Sequence, residues 1–332
     1  LTVTHAHDGD VTRSNALVGQ EESVSDRTLS DTELLNARLV PLRRPGQWVS
    51  AVVVVVLLAM AVHTLFTNPR FQWSVVWSYF ATGPILRGLV LTLWLTAAVM
   101  VCGYVLGVVL AVMRLSRNSV LRSVSFGYVW LIRSVPPLVQ LLFWYELASL
   151  YPELSLGIPF GPAFVTVKTA HLFTGLLAAF VGLTLDVAAF SSEIIRGGIL
   201  SVEHGQIEAA QALGVGPLRI FRRIVLPQAM PAIVPASGNM LISMLKATSI
   251  VSVIAVQDLL YSVQLIYNQN FLIIPLLLVA TIWYILLTTV LSIGQYYVER
   301  HYARGSRNRG DRGLWAITRA NLPIFRNLAG IS

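Results

Sequence analysis

The chain has 332 residues, of which only 12% are charged, about half the ~25% usual in soluble proteins. Hydrophobic residues make up 55%, and the mean hydropathy is +0.68. This excludes a water-soluble fold of this size, and disorder over most of the chain, and predicts a polytopic membrane protein. The formal charge of +8 does not by itself call for nucleic acid, because its meaning depends on where the basic residues lie. The single cysteine, Cys102, excludes an intrachain disulfide and any multi-cysteine metal site.

Residues 1–47 read as a largely disordered tail, with seven acidic residues and two arginines before residue 38 and no apolar periodicity. A span needs roughly 20 apolar residues, and six stretches qualify. Trp48 to Phe66, Gly88 to Met113 and Phe271 to Val298 carry no Asp, Glu, Lys or Arg. The other three are interrupted. Ser123 to Leu150 holds Arg133, Pro136, Pro137 and Glu146; Thr169 to Leu200 holds Asp186, Glu193 and Arg196; Ile224 to Leu245 holds Pro227, Pro231 and Pro235. Such breaks are tolerated only where helices bury one another or line a wet path, so they point to function in these three. Residues 304–332 form a basic tail.

Nineteen of the 24 lysines and arginines fall in the two tails and in the loops around Arg117 and Arg219, whereas the opposite loops hold only Arg70 and Lys168. Positive residues accumulate on the cytoplasmic side, so both termini are expected in the cytoplasm and no nucleic-acid partner is implied.

The informative segment is the loop 201–226. Glu203 to Leu213 reads as a short helix with small side chains at Ala209, Ala210 and Ala212, suited to close approach to another surface. Gly214 and Gly216 are able to take positive φ and end it, and Pro217 starts the next helix at its first turn. An L-shaped helix pair between two spans is expected.

In this segment Glu208, Ala209, Ala210, Gly214 and the later Leu226-Pro227 resemble the loop shared by permease subunits of ABC importers. Ser192-Glu193-Ile194-Ile195-Arg196-Gly197-Gly198-Ile199, Leu226-Pro227-Gln228-Ala229, Lys246-Ala247-Thr248-Ser249 and the Arg133-x-x-Pro136 segment resemble the polar amino acid uptake branch of that family, a binding-protein-dependent transport inner membrane component. The resemblance covers about residues 83 to 303. It implies an all-α integral membrane fold of six transmembrane helices, a five-helix permease core over 83–303 preceded by one extra helix over 48–67. It implies ATPase subunits docked on Glu208, Ala209, Ala210 and Gly214, a second permease subunit, an extracytoplasmic solute-binding protein and an amino acid substrate, all in a prokaryotic inner membrane. The chain departs from the branch at Ala247, usually an aspartate, at Ser134-Val135, usually Gly-Thr, and in a long external segment from Pro152 to Thr169.

Ionisable and polar groups inside spans are candidate functional residues. Asn239, Ser243 and Lys246 recur on one helical face, with Thr248 and Ser249 beyond them, and Arg133 adjoins a proline pair. These six form the expected substrate path. Arg133 has an alternative as an ion-pair partner of Asp186 or Glu146, Lys246 as a cation snorkelling to the interface, and Glu193 and Arg196 as a structural pair. No Gly-x-x-x-x-Gly-Lys-Ser/Thr loop and no histidine cluster occurs, so no catalytic site, cofactor or metal is expected, and ATP hydrolysis falls to another chain. Two other functions compete: an ion-coupled secondary transporter using Asp186 and Glu193, for which inverted repeats are expected, and a membrane enzyme or non-transporting receptor subunit.

Overall fold

The computed structural model describes residues 45–157, 163–169 and 174–303. Most of the expected tails, and His171, lie outside the described residues. The described residues up to Thr67 and those from Asn68 onward form two separate units. In the first, α1 (Pro45–Thr67) is apolar on all sides, and its Thr64 and Thr67 hydroxyls donate to the Met60 and His63 carbonyls one turn back.

The second unit contains α2 (Trp73–Phe80), α3 (Gly83–Leu115), α4 (Ser119–Ser134), α5 (Pro137–Tyr145) and the short α6 (Leu147–Leu150). A hairpin of β1 (Glu153–Gly157) and β2 (Ala163–Lys168) follows, then α7 (Gly175–Leu200), α8 (His204–Ala212) and α9 (Pro217–Ile220). A π-helical turn (Phe221–Val225) joins α9 to α10 (Leu226–Ala247); a 3₁₀ segment (Thr248–Ile254), α11 (Leu259–Asn270) and α12 (Ile273–Ala303) complete it. Five helical stretches in the two units are long and apolar enough to cross a membrane, or six if α4 and α5, bent by 100°, count as one. Among the described residues the protein is all-α apart from the antiparallel hairpin, in which Glu153 pairs with Lys168 and Leu154 with Val167.

The centre of the second unit is the α3–α7 pair. Gly103 and Gly107, one turn apart on α3, meet Val187 and Ser191 of α7 so closely that a Cβ at either glycine collides with them; small residues at this spacing let two membrane helices approach. Around them pack Leu95, Val99, Leu141, Leu183, Val187, Met244 and Val251. A second cluster, including Val76, Ile85, Leu259, Leu276 and Val279, ties α2 and α11 to the neighbouring ends of α3 and α12.

The interrupted third span is a helix broken at Val135-Pro136. Pro136 lacks the N–H that would bond the Ile132 carbonyl, so the helix stops there and Pro137 opens α5 at its first turn. The Nε2 of the buried Gln140 replaces the missing donor, reaching Ile132 O at 2.7 Å and Val135 O at 2.8 Å. Its Oε1 is buried without a partner among the described residues.

Candidate functional site

At the end of α7, Glu203 leads into α8, whose nine residues are too few to form a stable helix alone. Two features hold it. The first is its C-terminus, where Gly214 has φ +72°, its N–H donates to Gln211 O, and Val215 N–H reaches back to Ala210 O at 3.1 Å. This paired bond pattern is a Schellman motif, and it needs the left-handed conformation that glycine adopts without a Cβ clash. Gly216, expected also to take positive φ, instead has φ −64° and caps α9, with Pro217 in its first turn. The second feature is an apolar core in the elbow, where Ala210 packs with Val202, Ile220, Val225, Ala229 and Ile233. Gln228 Nε2 adds a hydrogen bond to Gln206 Oε1 at 2.6 Å.

This geometry separates residues that the sequence groups together. Glu208 and Ala209 are exposed, as are Ala212 and Leu213, the last at 83%. Ala210 is buried at 5%, its side chain packed into the elbow core. Gly214 is exposed and shapes the turn through its backbone.

Beyond the elbow, α9, the π turn and α10 run on as one helical rod. Pro227 cannot donate to the Arg223 carbonyl, and just before it the Leu226 N–H bonds Phe221 O, five residues back. That wider turn accommodates the proline ring without ending the helix. On α10, Asn239, Ser243 and Lys246 are all exposed on one face while Met244 and Leu245 are buried on the other. Asn239 Oδ1 accepts from Gln295 Nε2 of α12 at 3.1 Å, and the same amide lies 3.3 Å from Pro235 O and 2.6 Å from Glu299 Oε1. Thr248 does not share the exposed face: it is fully buried and its hydroxyl donates to Leu245 O. The Ser249 hydroxyl donates to Lys246 O.

Arg133 is exposed, with its guanidinium 4.9 Å above the Phe190 ring. It forms no ion pair with Asp186 or Glu146; among the described residues the one ion pair is Arg196 with Glu193, at 2.6 Å. Arg133 lines a groove with Arg114, Trp130 and Glu193. Asp186 is buried near Tyr128, whose hydroxyl donates to Leu185 O at 2.8 Å. The expected substrate-path residues are thus dispersed: Asn239, Ser243 and Lys246 lie on the α10 face, Thr248 and Ser249 in the 3₁₀ segment that follows, and Arg133 in the α4 groove.

Residues 103–304 match the family model described as binding-protein-dependent transport system inner membrane component. The chain belongs to this family. The permease is 42% identical over 292 residues to the arginine transport system permease protein ArgU of Corynebacterium glutamicum, covering 87% of this chain and 90% of that one. It is 34% identical over 218 residues to the histidine/lysine/arginine/ornithine transport system permease protein HisM of Salmonella typhimurium, covering 66% and 88%. Among solved structures it is similar to an amino acid ABC transporter with histidines, at 32% identity and a TM-score of 0.56 over 66% of this chain and 94% of that one. The permease is therefore a multi-pass transport component and not an enzyme, and the secondary-transporter, enzyme and receptor alternatives are not supported.

Proposed function

We propose that the permease carries polar amino acids inward as the membrane subunit of an ABC importer. In this reading its core spans 83–303, it pairs with itself or a related permease, and ATPases dock on the outward face of α8. An extracytoplasmic solute-binding protein delivers the amino acid, and both termini lie in the cytoplasm. The observation that carries the reading is the elbow. It holds α8 against the rod through Ala210 while leaving Glu208, Ala209 and Leu213 uncovered, the arrangement that a lever driven by another subunit requires. The named substrates of the two similar permeases support an amino acid cargo. The 19-to-2 asymmetry of basic residues supports the orientation.

For transport, the ATP-bound and nucleotide-free ATPases must bind the inward-open and outward-open permease with different affinity, since only differential binding shifts the equilibrium. The exposed Asn239, Ser243 and Lys246 face, with Arg133, supplies amide, hydroxyl and cationic groups able to bind an amino acid's carboxylate and polar side chain. The test is uptake of radiolabelled arginine, histidine, lysine and glutamine into proteoliposomes holding the permease, its ATPase and its binding protein. Uptake that needs ATP and all three components is expected. Uptake by the permease alone under a proton or sodium gradient would overturn the reading. Cysteines at Ser201 and Tyr261, in a chain with Cys102 replaced, should be labelled from the cytoplasm and from outside respectively; labelling of both from one side would refute the orientation.

A further inference from the structure

We propose that the groove between the C-terminal ends of α3 and α7 and the start of α4 binds the headgroup of an anionic phospholipid. Arg114 closes α3, Arg122 lies in the first turn of α4, and Arg196 in the last turns of α7; all three line one groove with Phe126. A contiguous hollow of ≈ 330 Å³ shares Arg114 and Phe126 and adds Arg133 and Glu193. Arg114, Arg122 and Arg196 thus supply three guanidinium groups to one groove, with Arg196 already bonded to Glu193 at 2.6 Å, while Arg133, assigned above to the substrate path, lines only the adjoining hollow. The Arg114 guanidinium lies 4.3 Å above the Phe126 ring, a cation–π contact within the groove itself.

Charge alone would suit any anion, but the wall of the groove narrows the choice. Along the same face of α4 as Arg122, the groove is lined by Phe126, Val129 and Trp130, of which Phe126 and Trp130 are exposed, side chains compatible with acyl chains. A partner confined to the aqueous phase reaches the arginines only; a phospholipid satisfies both parts at once, phosphate on the guanidinium groups and chains along α4. The groove opens at the end of α7 that runs directly into α8, so its occupant neighbours the elbow.

The test uses the assembled permease–ATPase complex, purified in detergent and titrated with phosphatidylglycerol or phosphatidylcholine, with bound lipid read by native mass spectrometry. Wild type is expected to retain phosphatidylglycerol over phosphatidylcholine. Each arginine near a membrane surface contributes about fivefold, so R114Q/R122Q should bind phosphatidylglycerol about 30-fold more weakly. R70Q/K168Q, which removes the same charge at the other end of the bundle, should bind as wild type does. If the double variant disrupts assembly, Arg122→Glu alone, an exposed change in the first turn of α4, should give the same loss. Equal retention by R114Q/R122Q and wild type would overturn the proposal. So would displacement of the lipid by inorganic phosphate, or a cross-link from a cysteine at Ser123 to a protein subunit in native membranes.

Discussion

Two adjacent alanines of α8 should respond differently to the same substitution. Ala209 is exposed, and Ala210 is 5% exposed within the elbow core. Ala209→Trp places an indole on an open surface, where a substitution typically changes stability by no more than about 0.5 kcal/mol. Ala210→Trp forces the same ring into a space bounded by Val202, Ile220, Val225 and Ala229, and overpacking of this kind costs about 1–3 kcal/mol. Since α8 is nine residues long and held mainly by that core and its C-terminal turn, a loss of this size should unseat it. Both variants should lose ATPase, for different reasons. Ala209→Trp should keep wild-type thermal stability and resistance of the 201–216 segment to protease, yet fail to co-purify with the ATPase. A close-packed interface overfilled by 1–3 kcal/mol weakens binding about 5- to 150-fold. Ala210→Trp should lower thermal stability and expose the segment to cleavage. The readouts are co-purification, ATP-driven uptake and limited proteolysis on the same preparations. Normal co-purification and uptake by Ala209→Trp would show that the outward face of α8 is not the docking surface.

Gly214→Val should cost about 1–2 kcal/mol by placing a β-branched residue at φ +72°, and should uncouple uptake from ATP hydrolysis, measured as ATPase activity no longer stimulated by substrate. Gln140→Leu leaves the Ile132 and Val135 carbonyls without their donor but removes an unpartnered buried oxygen; a net loss of about 1–2 kcal/mol is expected, read as a lower unfolding temperature of the detergent-solubilised permease. Asp258 caps α11 through bonds from Leu260 and Tyr261 N–H, yet full burial pushes its carboxyl up to about 6. The folded state therefore holds this proton more tightly than the unfolded one, and its contribution to stability falls as pH rises from about 4 to 6. Asp258→Asn should remove that part of the pH dependence of thermal unfolding; an unchanged profile would refute the assignment.

Much of this architecture is legible in the sequence, because span length and apolar content are set by bilayer thickness. The proline at position 217 and the positive φ at Gly214 follow from local stereochemistry, and the Glu193–Arg196 pair from helical spacing. Which way a small side chain faces is another matter. Ala209 and Ala210 are identical in size and polarity, so only the packing of the elbow tells them apart. Arg133 offers carboxylates at Asp186 and Glu146 as sequence-level partners, but its guanidinium stacks on Phe190, since a ring presents no helical spacing by which to find it. The hairpin is detectable: Glu153-Leu154-Ser155-Leu156 and Val165-Thr166-Val167-Lys168 alternate with period two. Gln140 and Gln295 also carried a signal, each a lone amide near a proline-containing or apolar helix, with a bonding capacity that had to be met somewhere.

If α8 is the proposed docking lever, the elbow and the rod together determine how a push on it travels. From Pro217 to Ala247 the helical path is about 46 Å at 1.5 Å per residue, so a tilt of a tenth of a radian at the elbow moves its far end by about 5 Å. The core of Ala210, Ile220, Val225 and Ala229 couples α8 to the first turns of that rod, so α8 does not swing alone. Compliance lies further along. Pro231 and Pro235, inside α10, lack the N–H groups that would bond the Pro227 and Pro231 carbonyls, which weakens the helix over those turns. Gln295 bridges this stretch to α12 through Pro235 O and Asn239 Oδ1, and a Cβ at Gly238 would lie 2.6 Å from its Cδ. The weakened turns are thus braced against α12 just before the exposed Asn239, Ser243 and Lys246 face begins. A tilt that enters at the elbow reaches that face only by carrying α12 with it or by breaking the Gln295 bonds, so the Gln295–Asn239 contact is where motion of the rod and exposure of the polar face are tied together.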